Sequence, residues 1–162
     1  MKNVEIRPIG AIEAEDAYRV LRSCFPIPGE YKDVKDNLEN PITRALGMYL
    51  DWKMIGYGAL WMLMEEAHVT HVCVLKEHRG EGLGEGLMRA LIQHASDSGA
   101  RFMELECRRS NESAIRLYHK LGFLRVGFKK NYYPDTNEDA VVFALIALPA
   151  PNVENDPFLT AE

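Results

Sequence analysis

Glycines occupy every second position in one stretch of this sequence. The stretch reads Arg79-Gly80-Glu81-Gly82-Leu83-Gly84-Glu85-Gly86-Leu87. Each glycine inside a helix costs about 1 kcal/mol relative to alanine, so three of them would weaken the start of the following helix by roughly 3 kcal/mol. A backbone without side chains can bring free amides and the positive end of the helix dipole against a diphosphate. The spacing therefore predicts a phosphate-binding loop.

Two common phosphate-binding motifs do not fit this loop. A dinucleotide fingerprint would need a glycine where Glu85 or Leu87 stands, and the P-loop needs a glycine followed by lysine and then serine or threonine. Binding of NAD or ATP is therefore disfavoured. The stretch does contain an Arg-x-x-Gly-x-Gly pattern that begins at Arg79. The alternative is an ordinary glycine-rich connection between a strand and a helix.

A second group of chemically useful side chains follows the predicted strand at 102–107. Alternating residues indicate that this strand ends near Glu106, and Asn111 can cap the next helix, which Gly122 closes. Tyr118 lies on the apolar face of that helix. Glu106 and Tyr118 are candidates for proton transfer, although a solvated carboxylate and a core aromatic are the alternatives.

Length and composition indicate one soluble globular domain. The chain has 162 residues, of which 47% are hydrophobic and 27% are charged. The formal net charge of −5 argues against a nucleic-acid binder, so we expect no DNA partner and a basic protein or peptide instead.

The same sequence gives no sign of a membrane or secreted protein. The longest mostly apolar run, 54–64, is too short to span a bilayer, and Glu5 and Arg7 stand where a signal peptide needs an apolar core. Three cysteines without a CxxC pair favour reduced thiols. We therefore expect a cytoplasmic protein.

The elements that must position these residues are predicted from periodicity. Strands are predicted at 4–8, 45–50, 54–64, 67–75, 102–107, 123–128 and 140–148, and helices at 13–25, 31–38, 82–98 and 111–121. The second and third strands form a hairpin. The last two strands pair antiparallel across a polar segment at 129–139. Residues 149–162, with three prolines, three acids and no basic residue, form a loosely ordered tail.

With these elements in order, the sequence resembles the GNAT acetyltransferases. The glycine loop resembles their coenzyme A pyrophosphate loop, and the Asn-capped helix with Ala-Ile-x-Leu-Tyr before Leu-Gly-Phe resembles the second half of their cofactor site. The motifs Lys130-Asn131-Tyr132-Tyr133-Pro134 and Glu138-Asp139-Ala140 are similar to those of RimI-type N-terminal acetyltransferases of ribosomal protein. Matching motifs run from about 55 to 148.

This resemblance implies a fold and a co-substrate. It implies a single α/β GNAT domain at 1–148, with a mixed, mostly antiparallel sheet flanked by helices and with splayed central strands. Acetyl-CoA is the implied co-substrate. The residues implied to bind it are Val72, Cys73, Val74, Arg79, Gly80, Glu81, Gly82, Leu83, Gly84, Asn111 and Tyr118.

The resemblance also assigns the catalytic roles, with Glu106 as general base and Tyr118 as general acid. This agrees with the chemistry, because the attacking amine must lose a proton and the departing coenzyme A thiolate must gain one. A phenol with a pKa of about 10 stays protonated at neutral pH and can donate to a thiolate.

The implied substrate is a protein N-terminal amine, namely the N-terminal alanine of the eighteenth small-subunit ribosomal protein. The peptide is expected between a turn and a loop that contain Phe25, Ile27, Tyr31, Tyr132 and Tyr133, although these tyrosines also suit ordinary packing. Many RimI relatives carry a tryptophan after Phe-Pro, whereas here Ile27 follows. A small-amine acetyltransferase and a non-catalytic acyl-CoA sensor remain alternatives.

Neither histidines nor cysteines predict a metal site. His68 and His71 are three apart on a predicted strand and therefore point to opposite faces. Cys73 lies inside the same strand without a visible base partner, which favours a small buried side chain over a nucleophile. We expect no metal.

Overall fold

The computed structural model describes residues 3–152. Its strands are β1 (Val4–Ile9), β2 (Thr43–Leu50), β3 (Lys53–Leu63), β4 (Glu66–Val74), β5 (Phe102–Arg108), β6 (Leu124–Tyr133) and β7 (Glu138–Leu145). Its α-helices are α1 (Ala14–Cys24), α2 (Tyr31–Glu39), α3 (Leu83–Asp97) and α4 (Glu112–Lys120). All predicted strands and helices are present, with their ends displaced by a few residues.

The strands form one mixed sheet in the order β1-β2-β3-β4-β5-β7-β6. The pairs β1–β2, β2–β3, β5–β7 and β6–β7 are antiparallel, whereas β4 and β5 run parallel. The parallel register covers three residue pairs, from Glu66 with Phe102 to His68 with Glu104. This short pairing confirms the predicted mixed sheet with splayed central strands.

Within the described residues the chain divides into two compact units. The first comprises 3–61 and 70–91, and the second comprises 62–69 and 92–152. The glycine loop belongs to the first unit, whereas the strand that ends in Glu106 and the helix that carries Tyr118 belong to the second.

In the first unit, helical spacing and a tight hairpin define the packing. The buried face of α1 consists of Ala14, Ala17, Val20 and Leu21, which recur at intervals of one helical turn. The β2–β3 hairpin turns through Asp51 and Trp52, which both have positive φ, as a two-residue turn between twisted strands requires. The predicted hairpin is confirmed.

In the second unit, β5 separates an apolar face from a polar face. Met103, Leu105 and Cys107 are buried, and Glu104 and Glu106 point to the other side. The apolar side packs under α4, whose Tyr118 ring lies 5.8 Å from the ring of Phe143. The predicted strand alternation is therefore confirmed.

Two predicted details are wrong. The polar segment 129–139 is not a connection throughout, because β6 continues to Tyr133 and β7 begins at Glu138. Gly82 lies outside α3, which begins at Leu83, so two glycines rather than three weaken the helix, by about 2 kcal/mol.

The first residues of the predicted tail are held by α3. Ser96 donates a hydrogen bond to the carbonyl of Pro149, Gln93 donates to Ala150, and the amide of Asn152 donates to Asp97. The rest of the predicted tail, 153–162, lies outside the described residues. No helix within 3–152 is long and apolar enough to cross a bilayer.

The packing of α3 on β3 leads to a stability prediction. A Cβ added to Gly58 would lie 2.7 Å from Cδ1 and 3.1 Å from Cγ of Leu91, so Gly58→Ala should lower the free energy of unfolding by about 1–3 kcal/mol. Gly86→Ala is the matched control. No atom lies within 4 Å of its added Cβ, and the change should stabilise α3 by up to about 1 kcal/mol. Urea denaturation of both variants measures this, and equal effects would contradict the packing.

Candidate active site

The glycine loop of the first unit presents open backbone. Gly82 has a φ of +78°, a conformation that favours glycine, and a Cβ added to Gly84 would meet no atom within 4 Å. The first helical hydrogen bond runs from the Gly86 amide to the Gly82 carbonyl at 3.2 Å. Amides ahead of this bond have no partner within the helix and point out of its N-terminus. This geometry suits an anion.

The end of β4 is fixed by side chains of the same unit. Nε of Arg79 donates to the Val74 carbonyl at 3.0 Å, and the thiol of Cys24 contacts the same carbonyl oxygen at 3.6 Å. That carbonyl is therefore occupied in this structure. Cys73 is buried, as predicted, and its hydrogen bond with Cys24, together with burial, raises its pKa well above the ordinary value.

The residues expected to meet the peptide in the first unit lie around one turn. Ile27 is 60% exposed and Tyr31 is 40% exposed. Phe25 packs against the ring of His71 at 6.0 Å between centroids. Ile27 and Tyr31 are therefore exposed, whereas Phe25 is half-buried.

Glu106 lies at the centre of a hydrogen-bonded cluster in the second unit. Its Oε2 atom lies 2.8 Å from Nε2 of His68, and its Oε1 atom accepts a hydrogen bond from Nζ of Lys129. The Glu106 side chain is only 6% exposed, compared with 22% for His68 and 43% for Lys129. Both carboxylate oxygens are engaged.

The cluster shifts the pKa of each member. Burial alone would raise the pKa of Glu106, but the hydrogen bonds from His68 and Lys129 outweigh burial and lower it. The hydrogen bond to Glu106 raises the pKa of His68, although burial acts against this. The same carboxylate raises the pKa of Lys129. Glu106 is therefore held ionised.

Tyr118 lies on the opposite side of β5 from Glu106. Its ring packs against Phe123 and Phe143, and Phe143 pairs with Leu105 on the apolar face. Burial raises the pKa of Tyr118 above the ordinary value, so the phenol stays protonated across the physiological range. Tyr118 is thus a core aromatic whose phenol keeps its proton.

Asn111 caps α4, as predicted. Its Oδ1 atom accepts a hydrogen bond from the amide of Ala114 at 3.2 Å and another from the hydroxyl of Ser113 at 3.2 Å. A contact between Asn111 and a pantetheine arm would therefore use the amide nitrogen of the side chain.

Tyr132 and Tyr133 lie on β6 rather than in a loop, which corrects the expectation from the sequence. The guanidinium of Arg108 lies 4.1 Å above the ring of Tyr133 and pairs with Asp135 at 2.9 Å. Burial raises the pKa of Tyr133 to about 12, and its hydroxyl interacts electrostatically with Glu106. Tyr133 is therefore fixed beside the cluster.

Three side chains near the cluster are close enough to share an ion. Ligand atoms of Glu66, His68 and Glu104 all lie within 4.8 Å of one another. We assign no metal to them, because these carboxylates also form the anionic surroundings of a histidine that already pairs with Glu106.

Comparison with known proteins identifies the family. Residues 14–123 match the acetyltransferase (GNAT) family. This chain belongs to the GNAT family. A Bacillus subtilis protein provisionally named a ribosomal protein bS18-alanine N-acetyltransferase is 34% identical over 85% of this chain and 91% of its own length. The Escherichia coli ribosomal protein bS18-alanine N-acetyltransferase is 31% identical over 85% of this chain and 95% of its own length.

Solved structures agree with this membership. The crystal structure of the ribosomal-protein-S18-alanine N-acetyltransferase from Escherichia coli superposes with a TM-score of 0.83 at 28% identity, covering 92% of this chain and 97% of that one. The protein is therefore an acetyltransferase with the fold expected from its motifs.

Sequence motifs of the GNAT family did not reveal two members of the cluster. The position of His68 on a predicted strand argues only against a metal site, and Lys129 belongs to the segment 129–139 that the sequence predicts as a polar connection. The alternation of side chains along the strands carried a signal for His68. Parallel pairing of β4 with β5 places His68 beside Glu104, and Glu106, two residues further along β5, lies on the same face. No local pattern indicated Lys129.

Proposed function

We propose that this GNAT protein transfers the acetyl group of acetyl-CoA to a protein N-terminal α-amine, and that its substrate is the N-terminal alanine of ribosomal protein bS18. The observation that carries this proposal is similarity to the two relatives named for this activity, which extends over 85% of this chain. The remaining support comes from the chemistry of the candidate residues.

The glycine loop is proposed to hold the diphosphate of acetyl-CoA. The residues assigned to it are Arg79, Gly80, Glu81, Gly82, Leu83 and Gly84. Open space at Gly84 and the position of the loop at the N-terminus of α3, where backbone amides and the helix dipole favour an anion, support this assignment. We assign the pantetheine arm to Val72, Cys73, Val74, Asn111 and Tyr118.

The catalytic assignment makes Glu106 the general base of the reaction and Tyr118 the general acid. Glu106 is ionised and Tyr118 is protonated, as the two roles require. The reaction needs both groups, because the amine must lose a proton and the leaving sulfur must gain one. In this assignment Glu106 takes the proton of the amine directly or through a water molecule.

The peptide is proposed to contact Phe25, Ile27, Tyr31, Tyr132 and Tyr133. A net charge of −5 favours a basic segment such as the start of a ribosomal protein. Three free thiols suit the reducing cytoplasm in which ribosomal proteins are made.

We propose residues 1–148 as the catalytic domain and 149–162 as a C-terminal extension. β7 ends at Leu145, shortly before this boundary. The backbone of 149–152 is bonded to side chains of α3, so the extension begins against that helix.

Gly84→Val tests the diphosphate assignment. The valine side chain would occupy the open space beside the helix start, so the affinity for acetyl-CoA should fall by at least about tenfold, or 1.4 kcal/mol. Isothermal titration calorimetry on the folded variant measures this. An unchanged dissociation constant would remove the loop from the site.

Tyr118→Phe tests the acid. The phenylalanine ring keeps the contacts with Phe123 and Phe143, so acetyl-CoA binding should persist while turnover falls by about 10² to 10⁴. Single-turnover acetylation separates binding from chemistry. A rate equal to that of the unmodified enzyme would exclude Tyr118 as the proton donor.

The choice of amine tests the substrate class. An α-amine has a pKa of about 7.7–8.0 and lysine one of about 10.4, a gap worth about 3.4 kcal/mol at neutral pH. A basic peptide that begins with alanine and contains an internal lysine should therefore gain its first acetyl group on the α-amine. Tandem mass spectrometry locates that group. First acetylation on lysine, or equal rates with free polyamines, would contradict the proposed substrate class.

A further inference from the structure

The carboxylate assigned to the base side is already fully engaged. Glu106 accepts one hydrogen bond on each oxygen, from His68 and from Lys129, and its side chain is only 6% exposed. Hydrogen bonds to the ionised form stabilise that form, which makes the carboxylate a weaker proton acceptor. Proton removal by Glu106 would also have to break one of these bonds.

The neighbouring imidazole of His68 has a ring nitrogen that can accept a proton. A carboxylate can only accept, so Nε2 of His68 carries the hydrogen of the His68–Glu106 bond, and Nδ1 of the neutral ring keeps a lone pair. The His68 side chain is 22% exposed, nearly four times as much as that of Glu106. His68 is thus the more accessible base of the pair.

Ordinary acidities favour the imidazole as well. A glutamic acid with a pKa of about 4.3 lies roughly 3.5 units below an α-ammonium group, whereas imidazole at about 6.5 lies less than about 1.5 units below it. The hydrogen bonds to Glu106 lower its pKa and so widen the pKa difference between Glu106 and the α-ammonium group. The carboxylate beside His68 raises the pKa of the imidazole and so narrows the pKa difference between His68 and the α-ammonium group. Proton transfer is most efficient when donor and acceptor are matched.

We propose that His68 is the proton acceptor of the reaction, with Glu106 orienting its ring and stabilising the imidazolium, and with Lys129 keeping Glu106 ionised. This inference rests on the proposed function and deepens it. Glu106 then acts through His68 rather than by touching the amine.

The step balances without any further reactant. Nδ1 of His68 takes one proton from the α-ammonium group, and the freed electron pair forms the bond to the acetyl carbonyl carbon. The carbon–sulfur bond breaks, the sulfur keeps that electron pair, and Tyr118 donates a proton to it. The second proton released by the nitrogen restores Tyr118, and His68 returns its proton to solvent.

The charges that face His68 fix the direction of its pH dependence. Glu66 comes from β4, Glu104 and Glu106 from β5, and Lys129 from β6. Glu106 and Glu104 raise the pKa of His68, whereas Lys129 lowers it. Because the reaction needs the neutral ring, the rate should fall as pH drops through the pKa of His68, and a higher pKa should move that fall to higher pH.

His68→Gln provides the first test. Glutamine can still donate a hydrogen bond to Glu106, so the carboxylate keeps its partner while the base is lost. Turnover at saturating alanine peptide should fall by about 10² to 10⁴. When turnover is measured between about pH 5 and 9, the decrease toward low pH, called here the acidic limb, should disappear. His119→Gln is the matched control: the His119 ring packs edge-on against Phe143 and has no contact with Glu106 among the described residues, so this change should leave the acidic limb in place. A variant with near-normal turnover and the same acidic limb would identify Glu106 as the direct base and overturn the proposal.

Lys129→Met provides a second test, with its neighbour Lys130→Met as the matched control. Lys130 is exposed on the same strand and has no contact with Glu106 among the described residues. Loss of the Lys129 charge should raise the pKa of His68 and move the acidic limb to higher pH, whereas Lys130→Met should not move it. If the acidic limb of the turnover–pH profile of Lys129→Met stayed at the same pH as in the unmodified enzyme, the proposed electrostatic effect of Lys129 on His68 would be wrong.

Nuclear magnetic resonance titration of the His68 ring separates this inference from the proposed function. The ring should titrate above its ordinary pKa in the unmodified protein and at lower pH in Glu106→Gln, whatever the substrate is. A normal titration that Glu106→Gln leaves unchanged would overturn the dyad. Failure of the unmodified enzyme to acetylate the alanine peptide would instead overturn the proposed function.

Discussion

The buried carboxylate of Glu106 connects three strands of the second unit. A carboxylate this far from water is costly unless it is paired, and here β4 supplies His68 and β6 supplies Lys129. Lys129 must reach across β7, where the residue paired with it is the small Ala140. The strand order and the register of these strands therefore determine the charge state of the site.

Strand alternation in β5 separates two chemical environments over a few ångströms. The side chains on one face belong to an apolar core, which keeps the phenol of Tyr118 protonated. Those on the other face meet a histidine and a lysine, which keep a carboxylate ionised. Opposite environments on the two faces of one strand allow acid and base chemistry at the same pH.

Most of the fold followed from periodicity, and its failures have a physical cause. Helices α1, α3 and α4 bury one face each, so their apolar residues repeat at helical spacing. The predicted range 123–128 ends before β6 does, because β6 is an edge strand with mostly exposed residues. Such a strand lacks the alternation that marks a half-buried strand. Gly82 was placed in α3 because spacing alone does not locate a residue with positive φ.

The sequence by itself determined the glycine loop, the cap at Asn111, the polar face of β5 and the candidate pair Glu106 and Tyr118, because each depends on residues close together in the chain. Only the tertiary structure decided that Glu106 is shared by His68 and Lys129, which stand 38 and 23 residues away from it. The reason is physical: proton affinity depends on neighbours in space, and strand pairing between distant segments chooses those neighbours.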